Sequence, residues 1–237
     1  MKDAVANYLK ATRSPFYSLF YVLPLALFYE ILLFVINRSD VAGVRNSADI
    51  LLKRFLGQIG FHGFEASVIL FLLIFILLSL LNRKTLKKQA FHWAHYPLII
   101  LESAVYAALM IFLFAYILRS PVLLNGNFPD IRYIVYSVGA GVYEELLFRG
   151  LMLQGMIMLL YRIENLNRDL SLIFSVLVTS LIFVGIHYVG AFGDVFDITS
   201  FFIRFLASLI LSIIYLQRGF ALAAYSHTLY DIFVIII

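Results

Sequence analysis

Seven stretches of this chain are each long and apolar enough to cross a bilayer, and any fold must first accommodate them. Crossing about 30 Å of hydrocarbon takes roughly 20 helical residues. The stretches are 15–37, about 61–81, 97–118, about 131–161, 170–189, 200–217 and 220–237. The fourth exceeds what a straight crossing needs, so tilt or an interfacial overhang is expected. An eighth span follows if a loop segment is re-entrant. The expected fold is all-α, a polytopic transmembrane helical bundle forming a single membrane domain over 1–237. Its motif-bearing part is 131–237. Composition agrees, with 63% of the 237 residues apolar and 14% charged. A soluble domain of this size lacks the interior to hide so much apolar surface. Long unbroken runs also exclude an outer-membrane barrel, whose strands show short alternating segments. Disorder and a water-soluble enzyme are excluded with it.

The chain has no cysteine. That removes disulfides, thiolate metal sites, haem attachment and cysteine nucleophiles together. Eighteen Lys and Arg against 14 Asp and Glu leave a net charge of +4. In a membrane protein this excess fits loops beside anionic lipid. No basic stripe with interleaved aromatics points to a nucleic-acid partner. Residues 1–14 are polar, and the run after them is too long for a signal-peptide core, so the first span is expected to be retained. With the N-terminus inside, the inner segments carry Lys2, Lys10, Arg13, Arg83, Lys84, Lys87, Lys88, Arg162, Arg168 and Arg218. The outer ones carry Arg38, Arg45, Lys53, Arg54, Arg119 and Arg132, so the balance of positive charge favours that orientation. Residues 47–56 alternate apolar and charged at helical spacing, as in a helix lying along the headgroups. Segments 125–130 and 190–194 are turn-rich loops.

An ionisable side chain in the lipid core costs roughly 2.5–3.5 kcal/mol on insertion scales. Six such residues cluster in the last four spans: Glu144, Glu145, Arg149, His187, His227 and Asp231. They must face one another or a wet cavity. At about 100° per residue, Glu145 and Arg149 stand one turn apart and are expected to brace helices as an ion pair. Glu144 points elsewhere around the same helix. His227 and Asp231 are also at i and i+4, so both reach one region. One carboxylate, two imidazoles and a further carboxyl have the composition of a hydrolytic site, with a base, a proton shuttle and oxyanion stabilisers. Glu30, Glu65 and Glu102 have no spacing that ties them to this set. His92, Trp93, His95 and Tyr96 suit an interfacial position, and their His-x-x-His pair is a weak metal signal. Arg204 is expected to snorkel or to pair with an acidic neighbour. Tyr143, Phe148 and Phe183 read as helix packing.

Competing chemistries are missing their signatures. There is no HExxH and no GxSxG. The 190–194 loop reads G-A-F-G-D, which departs from GxGD at Ala191. Zinc ligation by Glu144, His187 and His227 stays open on residue type alone.

The residues form three elements in order on successive helices: EExxxR at 144–149, FxxxH at 183–187 and HxxxD at 227–231. In this they resemble the CPBP intramembrane endopeptidases, a family that includes the CAAX prenyl proteases and the bacteriocin-processing Abi-type proteins. Residues 202–205, onward to Arg218 and Gly219, resemble that family's helix leading into the last motif. The resemblance covers about 135–231 and implies a glutamate-dependent hydrolase without a required cofactor, zinc being the alternative version. It implies Glu144 as general base assisted by His187, with His227 and Asp231 stabilising the oxyanion. Glu145 and Arg149 would hold their helix in register, and Phe183 would lie against the site. The implied substrates are peptides or proteins at the membrane, through C-terminal processing of lipidated proteins or cleavage of small peptides and membrane proteins. The implied location is the cell membrane. Many members carry Asn where this chain has Asp231, and an ionised Asp cannot donate to an oxyanion. Either burial keeps it protonated, or it orients and charges His227; the one-turn spacing favours the second. The rival class is a non-catalytic transporter or immunity-type partner using buried Glu and His for protons or ligands. No inverted repeat is visible, and Pro24 is the only proline clearly inside a span, which favours the enzyme.

Overall fold

In hydrocarbon a backbone must satisfy its own hydrogen bonds, and helices do so within one segment. The computed structural model accordingly contains helices throughout, and describes residues 2–37, 46–81, 91–119, 130–163, 167–189 and 193–236. In chain order these are α1 (Lys2–Arg13), α2 (Pro15–Asn37), α3 (Ser47–Gly57), α4 (Gly63–Leu81) and α5 (His95–Leu118). A continuous helical stretch then runs through α6 (Ile131–Gly139), two π-helical segments (Ala140–Glu144 and Leu146–Leu153) and α7 (Gln154–Ile163). It is followed by α8 (Arg168–Ile186), α9 (Ile198–Arg218) and α10 (Phe220–Ile236). The expected loop at 125–129 and residues 190–192 lie outside the described residues, as do Arg38, Arg45, Arg83, Lys84, Lys87 and Lys88.

Five helices among the described residues, α2, α4, α5, α8 and α9, are long and apolar enough to cross a membrane. The chain is therefore a multi-pass integral membrane protein. The sequence predicts seven or eight crossings, and two of the seven stretches fall short for separate reasons. The 131–161 stretch is interrupted by the π-helical segments, so no single regular helix in it has spanning length. The last helix has 17 residues, a rise of about 25 Å.

That last helix is the centre of the bundle. All of residues 220–228 are buried, as expected of a helix enclosed on every side. α10 packs against α2, α5, α6, α9 and the first π-segment. Close approach rests on small residues. A Cβ at Gly141 would overlap Thr228 Oγ1 and the Ala224 carbonyl of α10. The turn into α10 is made by Gly219 at φ 92°, a left-handed conformation that glycine adopts without steric cost. A side chain there would strike the Thr12 carbonyl of α1. Arg218 beside it forks onto Glu102 of α5, Nε to Oε1 at 2.6 Å and Nη2 to Oε2 at 2.7 Å. Tyr8 of α1 donates to the same carboxylate at 2.6 Å. Glu102, for which spacing predicts no partner, thus ties three elements together.

Helix α3 departs from expectation in a second way. Asn46 caps it, its side chain accepting from the Ala48 N–H at 2.9 Å. Asp49 and Lys53 are buried, whereas Ile50 and Leu51 are exposed. The Asp49–Lys53 pair therefore turns into the protein beside Ala48 and Leu56, while Ile50, Leu51 and Arg54 stay exposed. The reason lies in α2, where Glu30 offers Lys53 an ion-pair partner at 2.7 Å.

Candidate active site

The π-helical segments carry the first motif. π-segments are rare and are often found at functional positions. No proline lies within this one to force the change. Small residues at its start admit neighbours at close range: Tyr29 and Asn46 against Gly139 at the end of α6, and α10 against Gly141.

Glu145 is fully enclosed, and its Oε1 accepts from two sides. Arg149 Nη1 donates at 2.8 Å, and His227 Nδ1 donates from α10 at 2.8 Å. Arg149 is only 1% exposed. Its Nη2 reaches Ser208 on α9, 3.0 Å from Oγ and 3.2 Å from the carbonyl. The guanidinium also lies over the Phe183 ring of α8, 4.8 Å from the centroid. One ion pair thereby touches α8, α9, α10 and its own helix. The ion pair expected between Glu145 and Arg149 is present, and the same carboxylate also meets the His227 imidazole.

His227 lies between two acids. Its Nε2 is 3.6 Å from Asp231 Oδ2, within charge-pair range but too long for a hydrogen bond. Both ring nitrogens thus face carboxylates, and a ring carrying both protons can serve both. This orientation matches the one-turn contact expected of Asp231.

His187 is built differently. Its Nδ1–H donates to the Phe183 carbonyl one turn back, at 2.8 Å. Among the described residues Nε2 then has no hydrogen-bond partner. Phe183 is the shared wall, its ring 4.9 Å from the His187 ring and 6.3 Å from the His227 ring by centroids. Phe148 meets it edge-on at 4.9 Å. The loop beyond is closed by the Asp194 N–H donating to the His187 carbonyl at 2.8 Å and by an Asp194–Arg204 ion pair at 2.7 Å. Arg204 therefore has the acidic neighbour expected of it.

Glu144 is half-buried, and its Oε1 accepts from Asn46 Nδ2 at 2.8 Å. Among the described residues no hydrogen bond joins it to either imidazole. The structure thus brings Glu145, Arg149, His227 and Asp231 into contact, while Glu144 adjoins them as the residue before Glu145 and His187 shares with them the Phe183 ring.

Of the candidate zinc ligands, His227 is engaged by Glu145 at Nδ1 with Asp231 facing Nε2, whereas Glu144 is engaged only through Oε1 and His187 only through Nδ1. Among the described residues no three His, Asp or Glu side chains converge so as to hold a metal ion. The same holds for the His92–His95 pair, where His95 Nδ1 instead meets the Tyr21 hydroxyl at 2.8 Å.

Residues 126–233 match the family model described as Type II CAAX prenyl endopeptidase Rce1-like. The matched region contains all three motifs and closes just after Asp231. No curated protein and no solved structure matches the chain.

Besides Ser208, the residues that sequence reasoning missed come from outside this region. Glu30 accepts from Lys53 at 2.7 Å and from the Tyr143 hydroxyl at 3.0 Å, and Ser67 donates to it as well. Lys53 also pairs with Asp49 at 2.6 Å. Burial pushes the Asp49 carboxyl above its ordinary range, with Lys53 pulling against it. Tyr143 is the residue before Glu144, so this buried charge cluster abuts the candidate site. Its one advance signal is a Lys and an Asp one turn apart on α3.

Proposed function

We propose that the chain is an intramembrane endopeptidase of the CAAX-protease type, hydrolysing peptide bonds of membrane-associated substrates. The observation carrying this reading is the buried Glu145 carboxylate that ties Arg149 to His227 beside Glu144. It gathers motifs from two distant helices within the region matching the family model. Six ionisable groups in an apolar bundle have a purpose if they share a water-reached reaction site.

Glu144 acts as general base and removes a proton from a water molecule, with Nε2 of His187 as a second acceptor for that water. The resulting hydroxide adds to the scissile carbonyl carbon, and His227, through the Nε2 that faces Asp231 without a hydrogen bond to it, stabilises the tetrahedral oxyanion. The proton held by Glu144 passes to the amide nitrogen as the C–N bond breaks. Glu145 and Arg149 keep His227 aimed. A positioned base of this kind contributes about 10²–10⁴-fold.

The test is cleavage of a peptide library by wild type and Glu144→Gln, purified in detergent or placed in liposomes, with and without a strong chelator. Glu144→Gln is expected to lose about 10²–10⁴-fold in kcat/KM while folding normally, and chelation is expected to leave wild type active. Equal cleavage by both proteins refutes the mechanism. Proton or solute flux across the liposomes without any cleavage would favour a transport role for the same residues.

A further inference from the structure

Resting on that hydrolase reading, we propose that Asn46, from the N-terminal part of the chain outside the family match, is the positioning residue for the Glu144 carboxylate. Its side-chain amide donates to Glu144 Oε1 at 2.8 Å, and Oε2, without a hydrogen-bond partner among the described residues, is the oxygen this assigns to the reacting water. An amide suits this task. It is neutral and does not titrate, so it orients a base without supplying a counter-charge that would weaken it. A lysine or arginine at the same point would hold the carboxylate as a paired anion.

Asn46 is itself fixed on every side. Its Oδ1 accepts the Ala48 N–H at 2.9 Å, which is the cap of α3. Its backbone N–H donates to the Tyr29 hydroxyl at 3.2 Å, and that hydroxyl donates to Asp49 Oδ2 at 3.0 Å. Asp49 is held by Lys53, and Lys53 by Glu30. Behind the amide, then, stands a buried, charge-locked cluster on α2 and α3. The approach needs room on the opposing helix as well. A Cβ at position 139 would come within 2.7 Å of the Tyr29 ring and 2.8 Å of Asn46 Cβ. Gly139, little more than a turn before Glu144, is the slot through which the clamp reaches the base.

Two roles of Asn46 can be separated by substitution. Asn46→Asp keeps the size and the helix cap but replaces the donor with an acceptor facing Glu144. Asn46→Ser also keeps the cap and lacks the reach to the carboxylate. Both are expected to unfold at wild-type temperature within a few degrees, to keep KM within about two-fold, and to lose roughly 100-fold in kcat, the scale of a reacting group displaced by about 1 Å. Asn46→Ala removes the cap as well and is expected to unfold earlier. A folded Asn46→Ser with wild-type kcat, or a loss confined to KM, overturns the proposal. An inactive wild type sinks the hydrolase reading and this inference together, whereas active wild type with an equally active Asn46→Ser sinks the inference alone.

Discussion

Arg149→Met isolates what the buried ion pair contributes. The substitution removes the 2.8 Å bond to Glu145 and two bonds to Ser208 at 3.0 and 3.2 Å. It also removes the guanidinium stacked on Phe183. What remains is a fully enclosed Glu145 carboxylate held only by His227 Nδ1 at Oε1, with no hydrogen-bond partner at Oε2 among the described residues. Stripping one partner from a buried pair costs about 3–5 kcal/mol, mostly because the other charge is left uncompensated. At about 2–4 °C per kcal/mol for a chain of this size, the unfolding midpoint should fall by roughly 6–20 °C. The informative protein is the double variant Glu145→Gln/Arg149→Met. Removing both charges takes away the reason for the penalty, so the double variant should recover at least half of the lost midpoint. The side-chain amide introduced by Glu145→Gln keeps an oxygen that can accept from His227 Nδ1, but without charge. Peptidase activity should therefore stay lost in the double variant although the fold returns. Thermal unfolding in detergent micelles and peptide cleavage on the same preparations give both readouts. A double variant less stable than Arg149→Met would refute the claim that the single loss comes from a stranded carboxylate. A double variant with restored activity would refute the role given to the Glu145 charge.

Lys53→Met should cost about 3–5 kcal/mol in the same assay, because Asp49 and Glu30 then share a buried site without their cation. The sign of its pH dependence follows from Asp49, whose folded-state pKa is already raised by burial and rises further once Lys53 is gone. The folded state then binds the proton more tightly than the unfolded state, so the deficit should shrink as pH falls through that raised pKa. A deficit that grows with acidification would contradict the assignment. Gly141→Ala should lower the unfolding midpoint sharply, since the new methyl overlaps Thr228 and the Ala224 carbonyl. Gly155→Ala, with open space around it, should leave the midpoint unchanged or raise it slightly, by about 0.4–1 kcal/mol of backbone entropy. Equal effects at the two glycines would refute the close packing of α10 on the π-segment.

The C-terminal part of the site is legible because its signals are local. Glu145 and Arg149, and His227 and Asp231, are each one turn apart, and a spacing of four survives even where the helix widens into a π-segment. The insertion penalty then requires the two pairs to meet, and they do so through the Glu145–His227 contact. What spacing cannot supply is the direction of each group around its helix. A reading at 100° per residue assumes a regular α-helix through 140–153, where the hydrogen bonding is π-helical. The Glu145–Arg149 pair forms even so, and the contact with His227 is what that reading leaves open. The same irregularity removes one of the expected spanning helices.

The N-terminal part is illegible for a different reason. Glu30 stands alone in an apolar helix, and its partners Lys53, Ser67 and Tyr143 come from three other segments. No periodicity in one segment encodes a four-segment cluster. Yet the physics that exposes the C-terminal motifs applies equally to Glu30: a carboxylate in a run like 15–37 needs compensation. On α3, Asp49 and Lys53 turned inward with Ile50 and Leu51 outward are the matching half of that requirement. A charged pair on a short helix beside a lone buried acid of opposite need is thus a contact signal in its own right. In this chain it brings α3 against the helix that carries Glu144, which is how Asn46 at the start of α3 reaches the candidate base.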